Sequence, residues 1–104
     1  MKACVLQSAG DFSTQHVPDP VPRKETVVLR VGACGVCGSD LPRIFGNKAH
    51  SLPLIPGHEF SGTVVELGEG VDSSWSRKRV TVFPLIPCRR CAMCEMGEYA
   101  QCSA

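Results

Sequence analysis

The chain has 104 residues, which allows one small domain. Its 11 Lys and Arg against 10 Asp and Glu leave no electrostatic footprint for nucleic acid or an anionic membrane surface. No apolar run approaches the ~20 residues of a membrane span, and Met1 to Leu6 lacks the apolar core of a secretory signal, so a cytoplasmic protein is expected.

In chain order the predicted elements are short. Lys2 to Gln7 reads as an apolar edge strand. Asp11 to Glu25 is polar, and Pro18, Pro20 and Pro22 make it an extended, non-helical connection. Thr26 to Cys34 alternates as a strand, with Val27, Leu29 and Val31 on one side and Val28 and Arg30 on the other. Ser39-Asp40 caps a short helix that packs Ile44 and Phe45 inward and stops at Gly46. Asn47 to Pro56 is a proline-punctuated loop. Gly62 to Leu67 is a β-branched strand, Asp72-Ser73-Ser74 a turn, and Arg79 to Leu85 a further strand. From Pro87 onward cysteines displace any regular pattern. Short strands between Gly and Pro turns predict an all-β, barrel-like domain with one or two short helices. No strand–Gly-x-Gly-x-x-Gly–helix unit occurs, so a nucleotide-binding domain is absent from this chain, which reads as a truncated piece of a longer protein.

Seven cysteines in so short a chain need a reason. Their odd number, with no secretion signal, favours metal binding over a disulfide framework. Cys88, Cys91, Cys94 and Cys102 form C-x2-C-x2-C-x7-C. Two-residue spacings let successive thiolates converge on one ion, and a fourth closes a tetrahedron, the arrangement of a structural zinc. A bacterial iron–sulfur run has a different third gap and a following proline. A nucleic-acid-binding zinc ribbon would need more basic surface than Arg89 and Arg90.

Upstream, Cys37 with His58 and Glu59 offers a mixed S, N and O set. Catalytic zinc uses such a set and keeps one position open. Each residue alone has an ordinary alternative, a small buried thiol or a loop histidine. Cys34 makes a C-x2-C with Cys37 but lacks the βαβ context of a redox pair. Cys34 and Cys4 are expected in the core, and His16 and His50 at the surface. Arg43 follows Cys37 closely; its guanidinium suits a substrate phosphate, or it is an ordinary solvated helix arginine.

Gly57-His58-Glu59, with Gly62, Gly68 and Val71 at fixed intervals after it, resembles the signature of the zinc-containing medium-chain alcohol dehydrogenases. In this stretch Gly57 and Gly62 are expected to allow close approach, and Gly68 and Gly70 to take φ > 0. The resemblance covers essentially all 104 residues. Cys37 to Phe45, Gly57 to Gly62 and Pro84 to Cys88 are most similar to the polyol dehydrogenases of that family. The resemblance implies a GroES-like barrel over residues 1–104, the N-terminal part of a catalytic domain, with a structural-zinc loop at about 86–104. It implies two zinc ions. Cys37, His58 and Glu59 face the catalytic one, whose last ligand falls beyond Ala104. Cys88, Cys91, Cys94 and Cys102 hold the structural one. Ser39 matches the hydroxyl that passes the substrate proton, and Asp40 the acid that orients the zinc histidine. The implied reaction is oxidation of a sugar alcohol or its phosphate by NAD or NADP, with zinc as Lewis acid. This fragment alone is expected to be inactive, and the full-length protein to be a homo-oligomer. The alternative is a stand-alone zinc-stabilised binding module without catalysis. Two departures from the family pattern stand out. Pro42 occupies the place of a proton-relay histidine, and Arg77-Lys78-Arg79-Val80 stands where the family has Gly-Asp-Arg-Val, which leaves the turn geometry and the acid's contacts open.

Overall fold

A computed structural model describes residues 1–46, 49 and 51–104. The chain opens with an antiparallel hairpin of β1 (Lys2–Ser8) and β2 (Asp11–His16). The second strand was not expected, because its residues are nearly all polar. Its signal is the turn at Ala9-Gly10, where Gly10 takes φ +79, a conformation that suits glycine. Leu6 exchanges two backbone hydrogen bonds with Leu54 on its other side, at 2.8 and 3.0 Å. The hairpin is thereby fastened to the loop that leads into His58.

The second sheet has the order β3–β4–β5, all antiparallel, from β3 (Val27–Gly35), β4 (Glu59–Leu67) and β5 (Arg79–Thr81). Bulges interrupt the β3–β4 ladder between Val28 and Leu29 and between Val31 and Ala33. They break the simple two-sided alternation expected of β3. β5 stops four residues earlier than expected; Val82 adds one more hydrogen bond, to Phe60, before Pro84 and Pro87, which have no N–H to donate, rule out a longer ladder. Gly62 lies so close to the Arg30 carbonyl that a Cβ would overlap it, so the expected close approach is present.

A short helix, α1 (Asp40–Ile44), follows β3. Ser39 holds the N-cap position but makes no side-chain capping bond. The chain enters the helix instead through a turn in which the Asp40 N–H donates to the Cys37 carbonyl at 2.9 Å. Ile44 is buried as expected, whereas Phe45 is 68% exposed. Adjacent helix residues do not share a face, so one of the two had to point outward. The Gly10 N–H donates to the Ile44 carbonyl at 2.7 Å, which ties the end of α1 to the first hairpin.

Two short 3-10 turns, Ser73–Trp75 and Tyr99–Gln101, and a second helix, α2 (Ala92–Glu95), complete the elements. Asp72 accepts a 2.7 Å hydrogen bond from the Ser74 N–H and shapes the expected turn. The core is small: Val5, Leu6, Ile44, Val64 and Cys94 are its buried apolar side chains. Cys4 and Cys34, expected inside, are exposed. Cys4 faces Thr14 across the hairpin at 3.8 Å, and Cys34 lies one residue before the end of β3 with its sulfur beside Gly57. His16 is exposed as expected, and His50 lies outside the described residues. The radius of gyration is 15.8 Å, against about 13 Å for a compact chain of this length. No described helix is long and apolar enough to cross a membrane.

Two glycine-like positions behave contrary to the sequence pattern. Gly68 does not adopt a positive φ; its missing side chain makes room for the Arg23 carbonyl, which a Cβ would overlap. Arg77 does take φ +63, the left-handed conformation that a glycine adopts without strain. Arg77→Gly is therefore expected to stabilise the protein by up to ~1 kcal/mol, and Gly68→Ala to destabilise it by about 1–3 kcal/mol. Urea melts of the purified variants measure both. An unchanged midpoint for Gly68→Ala would contradict the packing account.

Candidate metal centres

The β3–β4 register builds the first centre. Gly35 pairs with Glu59, so the end of β3 lies beside the start of β4. Cys37 stands two residues beyond β3, and His58 immediately precedes β4. One ligand atom from each of Cys37, His58 and Glu59 lies within 4.8 Å of the others. Two glycines clear the space. A Cβ on Gly35 would stand 2.6 Å from Glu59 Oε2, and one on Gly57 2.7 Å from Cys34 Sγ. Gly35 carried no functional signal in the sequence; only the strand pairing reveals its role.

Asp40 organises the centre from behind. At 3% exposure it is the one buried charged side chain among the described residues. A buried carboxylate is costly unless it is partnered. Its Oδ2 accepts the Cys37 N–H at 2.9 Å, which fixes the loop that carries the thiol. Its Oδ1 lies 3.4 Å from His58 Nδ1 and 3.7 Å from Arg43 Nη1. An imidazole that keeps its proton on Nδ1, toward Asp40, leaves the Nε2 lone pair for an ion. Ser39 Oγ accepts a 3.2 Å hydrogen bond from Arg43 Nη1. Ser39, Asp40, Arg43 and His58 line one cleft of about 420 Å³, with Leu54 and Leu85 among its apolar walls. Three ligand atoms of three chemical types beside an open cleft can hold a divalent ion and leave a position for a small molecule.

The second centre is of another kind. The sulfurs of Cys88, Cys91, Cys94 and Cys102 all lie within 4.8 Å of one another. Cys91 immediately precedes α2 and Cys94 lies within it, so one helical turn presents both. Cys102 follows the last 3-10 turn, and its sulfur accepts the Cys88 N–H at 3.4 Å. Cys88 and Cys94 approach to 3.9 Å. The seven cysteines form no disulfide. Backbone hydrogen bonds from Ser103 and Cys94 pull the Cys91 thiol down to about 5. Burial, with the facing sulfurs, pushes Cys94 up to about 12. The Cys88 amide lowers Cys102. The Cys91 thiolate is thus formed at neutral pH, and an ion displaces the protons that remain. Four sulfurs leave no position for substrate.

Residues 23–104 match the alcohol dehydrogenase GroES-like domain. The chain belongs to this family. It is 43% identical, over 104 residues, to galactitol 1-phosphate 5-dehydrogenase of Escherichia coli K12, covering 99% of this chain and 30% of that protein. The crystal structure of galactitol-1-phosphate dehydrogenase from Escherichia coli superposes with a TM-score of 0.89 at 39% identity, over 100% of this chain and 30% of the other. A cobalt- and zinc-bound thermostable alcohol dehydrogenase from Pyrobaculum aerophilum superposes with a TM-score of 0.91 at 31% identity, over 100% of this chain and 32% of the other. This alcohol dehydrogenase GroES-like chain therefore spans about a third of the length of these relatives.

In metal-free protein at pH 6, iodoacetamide is expected to modify Cys91 well ahead of Cys94, because the thiolate is the nucleophile. Cys91 is ionised above about 5 and Cys94 only near 12. Labelling of Cys91 should then fall as the pH drops through 5. Peptide mass spectrometry across pH 4 to 8 reads the order; equal labelling of the two would contradict it.

Proposed function

We propose that the full-length protein carrying this chain is a zinc-dependent dehydrogenase that oxidises a polyol or polyol phosphate with NAD or NADP. Residues 1–104 form the metal-facing part of its GroES-like catalytic domain, with a structural-zinc loop at about 86–104. The observation that carries the reading is the convergence of Cys37, His58 and Glu59 beside an open cleft. The donor set fits zinc: one thiolate, one imidazole held by a carboxylate, and one carboxylate. Zinc, when bound there, acts as a Lewis acid toward the alcohol oxygen. Support for the substrate class comes from the relative that acts on galactitol 1-phosphate, and support for zinc from the Pyrobaculum enzyme. The odd cysteine count favours metal-binding thiols over a disulfide framework, which supports a cytoplasmic protein, and we expect a homo-oligomer.

The chain's own residues divide the work. Asp40 orients His58 and holds the Cys37 loop. Ser39 opens onto the same cleft as His58, and its hydroxyl can accept a proton from an alcohol while donating another onward. Pro42 offers no hydroxyl, imidazole or other proton-carrying group to continue that path. Cys88, Cys91, Cys94 and Cys102 hold a second zinc that stabilises the lobe around them.

The full-length protein should bind two zinc ions per chain. Cys91→Ser should lose one and expose residues 86–104 to protease; unchanged zinc and unchanged cleavage would overturn the structural assignment. Ser39→Ala should keep both ions and lower kcat on the order of 10²-fold, while Ser39→Thr retains activity. Wild-type turnover by Ser39→Ala with zinc intact would remove Ser39 from the proton path. Two bound zinc ions with no oxidation of any polyol would favour the binding-module reading.

A further inference from the structure

We propose that Arg43 is the residue that distinguishes a phosphorylated polyol from a neutral one, by binding the phosphate ester at the mouth of the cleft. The proposal rests on the dehydrogenase reading above and names the chemistry of its substrate.

Among the described residues Arg43 is the one arginine or lysine lining the cleft that holds Ser39 and His58. It lies one helical turn beyond Ser39 on α1. A guanidinium has five N–H donors in a planar fork. Among the described residues its one hydrogen-bond acceptor is Ser39 Oγ, at 3.2 Å. Asp40 Oδ1 is 3.7 Å away, too far for a hydrogen bond. That carboxylate is already engaged, one oxygen by the Cys37 amide and the other beside His58. Among the described residues Arg43 is therefore anchored through one nitrogen, with its other donors unused. Its side chain is 37% exposed, so a ligand can reach it.

Those free donors match a phosphate, which arginine binds through parallel hydrogen bonds. Apolar walls at Leu54, Ile55 and Leu85 exclude water from one side and strengthen the attraction. The bond to Ser39 places the cation next to the proposed proton-carrying hydroxyl. Arg43 can therefore touch the substrate's phosphate while the alcohol lies near Ser39. A merely structural partner of Asp40 would sit closer to it and would not favour one ligand over another.

The test is calorimetric and uses the zinc-loaded full-length protein. Galactitol 1-phosphate and galactitol serve as the probe pair, with wild type, Arg43→Ala and Arg43→Gln. Gln keeps most of the stem and a donor for Ser39 but removes the charge. Wild type should prefer the phosphate ester by roughly 10- to 100-fold. Both variants should lose that preference while binding galactitol within about 2-fold of wild type. Inorganic phosphate should compete with the ester in wild type and not in the variants. The proposal is overturned if wild type shows no preference, or if the preference survives both substitutions. It is also overturned if the variants weaken NAD or NADP binding and leave the probe pair untouched, because the anion would then be the cofactor's. Selective binding lost in the variants, without turnover of either probe, would keep the anion site and reject the dehydrogenase reading. Turnover of both probes, independent of Arg43, would do the reverse.

Discussion

The antiparallel register that sets Gly35 opposite Glu59 carries the open centre. It brings a thiol from beyond one strand next to an imidazole and a carboxylate at the start of another. Side chains alternate along a strand, so a slip of one residue would turn Glu59 to the opposite face. The two bulges in this ladder compensate. Val65 is the extra residue on β4 and Gly32 the extra residue on β3, and the pairing sum at the metal end matches that at the far end. The ladder can therefore bend without displacing its functional end. Gly62 permits the close approach of the strands, and the buried Asp40 locks the Cys37 loop against them.

Much of this was legible in the sequence where side-chain chemistry and spacing coincide. C-x2-C-x2-C-x7-C pointed to the four-sulfur cluster because such spacings have few other uses, and the Gly-His-Glu stretch located β4 and two candidate ligands. What the sequence does not display depends on tertiary partners. β2 has almost no apolar residues and exists because β1 offers it a ladder. Phe45 and Cys34 look like core residues by type, yet too little of the chain packs over them. Gly68 looks like a residue chosen for backbone freedom, whereas its constraint is a neighbouring carbonyl that no local pattern reveals.

The two centres show how the same residue type serves different ends. In the four-cysteine lobe the environment splits the thiols, with backbone amides favouring ionised Cys91 and burial keeping Cys94 protonated. The site has polarity of its own before any ion arrives. The open centre relies on mixed donors and on one carboxylate that contacts its loop, its histidine and the neighbouring arginine. Rigidity there comes from Asp40 rather than from the number of sulfurs, so the cleft can stay accessible on one side.

The shallow shape of the chain has a consequence for its colloidal behaviour. The molecule measures 39 × 35 × 20 Å, and Val21, Val31, Phe83 and Ile86 are among the large apolar side chains left in solvent. A slab only 20 Å deep has little interior to hide them in. A formal net charge of +1 supplies almost no mutual repulsion between copies. Solubility of this stretch is therefore limited by face-to-face sticking rather than by unfolding, and dilution or a charged fusion would raise it more than added stability would.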